Sequence, residues 1–264
     1  SDLWLFTILS ILIIISFVFY PMIKALITSF ESGMGNNLKF VGTANYTRLF
    51  TDDIFKKAVT NTLIYLVVQV PIMILLALFI SVMLNDKNLK LKGFFRTAIF
   101  LPCVTSLVAY SVIFKSLFSN DGLMNNLLMN IHLITTPIEW ITSPFWAKIT
   151  IIIAITWRWT GYNMIFYLAG LQNIDPSIYE AARIDGATGV KQFFHITVPL
   201  LKPIILFTTV MSTTGTLQLF DEVMNITKGG PGNASTTISQ YIYNLSFKYK
   251  IGRASCRERV FAGC

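Results

Sequence analysis

Charge is the scarcest property of this chain. Only 13% of its 264 residues are Asp, Glu, Lys or Arg, against about 25% in ordinary soluble domains. So few charges exclude a disordered, solvated segment and a nucleic-acid-binding tail. Cysteine is also rare: Cys103 lies in an apolar run, and Cys256 and Cys264 lie near the end. Three irregularly spaced cysteines support neither a disulfide framework nor a zinc site. No GxxxxGK[ST] string occurs, so the chain carries no phosphate-binding loop. The two histidines, His132 and His195, lie in loops assigned below to opposite sides of a membrane, so no catalytic constellation forms.

What the chain has instead is apolar length. It is 54% hydrophobic, with a mean hydropathy of +0.62. About 20 mostly apolar residues are needed to cross a bilayer as a helix. Five stretches qualify: Leu3–Ile23, Ala58–Asn85, Thr97–Phe114, Ile149–Leu171 and Pro203–Phe220. The fourth carries Arg158 within it. Prolines fall in or beside the spans at Pro21, Pro71, Pro102, Pro199 and Pro203. Membrane helices tolerate them where neighbouring groups satisfy the freed carbonyls; at Pro102 that reading and a simple kink in the third span stand equally open. The expected fold is therefore an all-α polytopic helical bundle with five transmembrane helices.

Lys and Arg in short loops orient such a bundle. Asp86–Arg96 holds Lys87, Lys90, Lys92 and Arg96, whereas Ser119–Phe145 holds neither Lys nor Arg. The first loop is thus placed inside and the second outside. This puts the N-terminus and 172–198 in the cytoplasm and 31–57 and 221–250 outside. The outer loop 31–57 departs from the rule, with Lys39, Arg48, Lys56 and Lys57. In a membrane protein this distribution, rather than an anionic partner, accounts for the net charge of +8.

The two ends read differently from the body. The start at Ser1, directly before an apolar run, is taken as a truncation near a membrane helix. Residues 251–264 hold three arginines and two of the three cysteines, and IGRASCRERV reads like one frame of a common sequencing adapter. They are taken as a non-native tail, with a sixth span expected beyond Lys250.

The inner loop 172–198 is the most informative segment. Asp175 suits a helix N-cap and Pro176 the first helical position. A helix over Pro176–Ile184 aligns Ile178, Ala181, Ala182 and Asp185, and Gly186 ends it in a left-handed conformation. A second short helix is expected over Val190–His195, with Pro199 opening the fifth span. Ala181, Ala182 and Gly186 permit close approach of a partner surface. A helix lying on lipid headgroups is the alternative, but Ala-Ala followed by Asp-Gly-Ala anchors poorly.

EAARIDGATGVKQFFHITVPLLKP resembles the EAA motif of permeases from binding-protein-dependent ABC importers, and the wider match is to sugar-transport permeases of the MalF type. FVGTANYTRLF, GFFRTAIFLP, WRWTGYN, LAGLQNIDPSIYEAA and FDEVMNITKGGPGNASTTISQYIYNLSF follow that family's blocks in order, covering about Phe40 to Tyr249. Gly229-Gly230-Pro231 resembles the first of the two permeases usually paired.

The resemblance implies an importer transmembrane domain over 1–250, with its core at about 57–250, in a bacterial inner membrane. It implies a second permease, an ATP-binding subunit dimer and an extracytoplasmic solute-binding protein as partners, with no nucleic acid and no cofactor of the chain's own. It assigns Tyr179, Glu180, Ala181, Ala182, Asp185, Gly186 and Ala187 to ATPase coupling. The chain departs from the family where Gly252-Arg253-Ala254-Ser255 is followed by no apolar span.

For the solute path, polar residues within spans are the candidates. Ser212 and Thr216 share one helical face in span five, with Gln218 just beyond, and Trp157, Gly161 and Tyr162 lie in span four. Hydroxyls beside an aromatic ring suit a carbohydrate or similar polar solute. Helix packing through small and hydroxyl residues explains Ser212 and Thr216 equally well. Arg158 is a further span-four candidate, with pairing to a lipid phosphate or Asp221 as its alternative. A secondary transporter or channel is the rival reading, but no inverted repeat is visible.

Overall fold

The computed structural model describes residues 2–34, 37–86 and 89–248. The chain divides into two units, 1–56 and 57–264. The expected non-native tail 251–264 lies outside the described residues.

In the first unit, α1 (Asp2–Ile14) and α2 (Tyr20–Ser29) are joined by a π-helical stretch, Ile15–Phe19. The result is an apolar rod over Thr7–Ser29, long enough to cross a membrane. An antiparallel hairpin follows, β1 (Glu31–Met34) against β2 (Asn37–Phe40), then α3 (Ala44–Thr51). The Asn45 amide holds the hairpin base to the rod by donating to the carbonyls of Ser29 and Glu31, both at 2.9 Å. Sequence reasoning left this region as an undifferentiated outer loop.

α4 (Asp53–Asn85) carries Pro71 inside an otherwise continuous helix. Then come α5 (Lys92–Val104), α6 (Leu107–Leu117), α7 (Leu123–Asn130) and the 29-residue α8 (Pro144–Gln172). The inner loop forms α9 (Pro176–Ile184) and α10 (Gly189–Gln192), and α11 (Val198–Leu217) and α12 (Ile238–Tyr243) complete the second unit.

α8 is the axis of this unit, because all three apolar clusters use it. Met164, Tyr167, Leu168 and Leu171 pack with Ala77 and Leu78 of α4 and Leu201 of α11. Ala154 meets Tyr110 and Phe114 of α6. Ile151 and Ile155 meet Tyr65 of α4 and Val223.

Among the described residues, three helices are long and apolar enough to cross a membrane: Thr7–Ser29, Asp53–Asn85 and Gly189–Leu217. A fourth span exists if α5 and α6 count as one, and here the expectation needs correcting. Thr97–Phe114 is not a kinked rod; it is two helices bent by 100°. Pro102 lies in the last turn of α5, and Thr105 and Ser106 leave the helical region, with ψ of 150° and 134°.

Such a break strands the last carbonyls of α5, which lipid cannot satisfy. Arg158 of α8 satisfies two of them, donating from Nη1 to Pro102 and from Nη2 to Cys103, each at 3.3 Å. Its guanidinium lies over the Tyr110 ring of α6, 4.7 Å from the centroid. One buried cation therefore binds both halves of the broken span. The expected lipid or Asp221 partner is replaced by these carbonyls, because Arg158 faces the bundle interior at 5% exposure.

The second correction concerns the loop. The expected helix Val190–His195 is α10, continued by a π turn over Phe193–Thr197 into α11. Pro199 therefore does not open the last span, which runs from Gly189. Pro199 lacks the N–H of a regular turn and sits just after the wider π turn, where the helix continues without a break.

Arg158→Met leaves two buried carbonyls short of a donor, and each unmet group costs about 1–3 kcal/mol. Thermal unfolding in detergent should show a loss of about 2–6 kcal/mol, partly restored by Arg158→Lys.

Candidate translocation cavity and coupling loop

The inner walls of α4, α8 and α11 enclose a cavity of about 440 Å³. Its polar lining starts with carboxamides: Gln69 of α4, Asn163 of α8 and Gln218 after α11. Hydroxyls come from Ser212, Thr214 and Thr216. Trp159 and Tyr162 supply aromatic surface, with their rings edge to face at 5.8 Å. Asp221 and Glu222 close one end.

These groups are tied together. Thr216 donates to Gln69 Oε1 at 3.1 Å, and Asn163 Nδ2 donates to Ser212 Oγ at 3.3 Å. Bonds between three helices hold these donors and acceptors in place.

The candidates named from sequence separate into two groups. Ser212, Thr216 and Gln218 line the cavity, as does Tyr162. Trp157 and Gly161 line no part of it. Trp157 faces α6, 5.3 Å from the Phe114 ring. Gly161 is a packing site, since a Cβ there would overlap the carbonyl oxygen of Ile99 in α5. Both lie one turn apart on the face of α8 that meets the broken span; the cavity takes the face bearing Trp159 and Asn163. Sequence reasoning missed Gln69, Asn163, Trp159 and Glu222. A carboxamide inside an apolar span is itself a signal, because it needs a partner there.

Glu222 lies past the end of α11 at 5% exposure. Burial pushes its carboxyl above the usual carboxylate range, while the charge of Arg158 acts in the opposite direction.

The second candidate region is the inner loop. Asp175 caps α9 by accepting from the Ser177 N–H at 2.9 Å, which also holds its carboxyl below the usual range. The cap is thus in place at neutral pH and weakens only when pH falls below the ordinary aspartate range. Gly186 has φ of +75°, a backbone that L side chains adopt with strain. The Ala187 N–H then returns to the Ala182 carbonyl at 2.8 Å, closing the helix end.

Tyr179 fixes α9 to the root of α11 through its hydroxyl and Thr197 Oγ1, at 3.0 Å. Ala182 and Ala187 are half-buried, whereas Glu180, Ala181, Asp185 and Gly186 are exposed. Large apolar side chains are exposed beside them: Ile184 at 87%, Val190 at 69% and Phe194 at 61%. Glu180 makes no ion pair among the described residues and borders a recess of about 820 Å³ shared with Arg96 and Arg183. A firmly anchored loop that presents apolar side chains and a free carboxylate has the form of a docking element.

Residues 87–262 match the model of the family described as binding-protein-dependent transport system inner membrane component. The lactose transport system permease of Rhizobium radiobacter is 59% identical over 248 residues, covering 93% of this chain and 83% of that protein. The arabinooligosaccharide permease of Bacillus subtilis is 35% identical over 93% of this chain and 79% of its own length. Among solved structures, a bacterial ABC transporter for import of the acidic polysaccharide alginate superposes with a TM-score of 0.79, at 26% identity, covering 94% of this chain and 86% of that one.

The chain therefore belongs to the family of inner-membrane components of binding-protein-dependent transport systems. It is the non-catalytic translocation subunit of an ATP-driven importer, working with a separate ATPase and a periplasmic binding protein. This membership excludes the secondary transporter or channel.

Proposed function

We propose that this chain and a second permease together form the pathway for a carbohydrate or similar polar solute, and that the loop around α9 transmits ATPase closure to it. In this reading α8 is a fifth crossing. Its 29 residues span about 43 Å, and its two charges, Lys148 and Arg158, sit near one end and against α5. The assembly is a multi-pass complex of a bacterial inner membrane with an ATP-binding dimer beneath it.

The observation that carries the solute assignment is the cavity lining. Carboxamides and hydroxyls on three helices face a volume bordered by Trp159 and Tyr162. A sugar needs many directional hydrogen bonds and one flat apolar face, and this lining offers both. The relatives' names, lactose and arabinooligosaccharide permeases, point the same way.

The coupling assignment rests on the exposed patch of Ile184, Val190 and Phe194 beside Glu180 and Ala181. Ala181 lets a partner approach closely, Gly186 makes the turn, and Glu180 is free to meet a cation on the ATPase.

Cysteines at positions 212 and 216 of the assembled transporter should react with a small neutral thiol reagent in either the resting or the ATP-bound state. Complete protection in both states would make Ser212 and Thr216 packing residues. Glu180→Lys or Gly186→Pro should leave membrane insertion intact and abolish uptake while ATP hydrolysis persists. Normal ATP-driven uptake by either variant would refute the coupling role.

A further inference from the structure

The charge of the cavity wall carries a conclusion about which solutes it accepts. Among the described residues lining it are two carboxylates, Asp221 and Glu222, and no Lys, Arg or His. Arg158 acts on Glu222 electrostatically from behind the wall, but its Nη1 and Nη2 are held by the Pro102 and Cys103 carbonyls and it does not line the cavity, so it offers no direct partner to a solute. The remaining polar groups are carboxamides and hydroxyls, which donate and accept without charge.

We infer that this wall selects neutral or cationic sugars and rejects sugar acids, with Asp221 and Glu222 as the specificity-determining residues. The inference rests on the translocation reading given above. Sugar hydroxyls donate to carboxylates in strong charge-assisted bonds. A uronate or sulfonate in the same place brings a further negative charge against a lining that holds no cation, and like charges there repel. Burial first, and then the neighbouring Asp221, raise the cost of Glu222 remaining charged.

The test reads cavity potential directly, separately from the binding protein's own choice of solute. Thr214 is exposed and lines the cavity without bonding to another helix. Thr214→Cys is placed in the assembled transporter with Cys103, Cys256 and Cys264 replaced by serine. Its reaction rates with trimethylammonioethyl, sulfonatoethyl and neutral methanethiosulfonates are compared with those of a free thiol. After that normalisation the cationic reagent should be favoured over the anionic one by about tenfold, the scale of focusing in a cleft lined by one sign of charge.

In Asp221→Asn/Glu222→Gln the preference should fall to within about twofold of the free thiol. Should that pair not reach the membrane, Asp221→Asn alone should lower it by more than half. A preference of one or below, or one unchanged by these substitutions, overturns the charge selection while leaving the pathway reading intact. Failure of all three reagents, the neutral one included, overturns the pathway reading and this inference with it.

Discussion

The rest of the second unit is arranged around one buried cation. Arg158 donates to the Pro102 and Cys103 carbonyls and lies over the Tyr110 ring. Without it, the 100° break between α5 and α6 would expose unpaired carbonyls in a medium that offers no water. With it, the break is a fixed joint. A charged residue at this depth is costly in isolation, and here the cost is offset by bonds that no apolar side chain offers.

Both faces of α8 follow from that joint. One face, with Trp157, Arg158 and Gly161, seats the broken span, and Gly161 brings the α5 backbone close enough for the guanidinium to reach it. The other face turns Trp159, Tyr162 and Asn163 toward α4 and α11, where the cavity of about 440 Å³ forms. Below, Leu168 and Leu171 pack against Leu201 of α11 in the same cluster that Phe193 joins. Phe193 begins the π turn after the docking loop, so the loop and the cavity share the same rigid helices. Tyr179 and Thr197 tie α9 to the root of α11.

How much was legible in the sequence depended on whether the signal was local. Asp175, Pro176 and Gly186 define α9 by short-range capping and turn chemistry, and the helix spans Pro176–Ile184 as expected. Three of the five long apolar runs likewise fall on helices that, among the described residues, are long and apolar enough to cross a membrane. The broken span was not legible, because Pro102 marks a kink and a break alike; what distinguishes them is Arg158, 56 residues later. The path residues were half-legible. Helical spacing placed Ser212 and Thr216 on one face, but nothing local says which face of α8 looks inward, so Trp157 was chosen where Trp159 lines the cavity. Gln69 stands out as a carboxamide inside an apolar span, but its partner Thr216 lies 147 residues away.

The central claim is that solute crosses the membrane against the wall built from α4, α8 and α11. A structure of the assembled transporter, trapped with solute and a non-hydrolysable ATP analogue, tests it most directly. The account predicts solute density within hydrogen-bonding distance of Gln69, Asn163 and Thr216, with a sugar ring face against Trp159 or Tyr162. Solute held wholly by the second permease, with a lipid chain filling the 440 Å³ cavity, would contradict it.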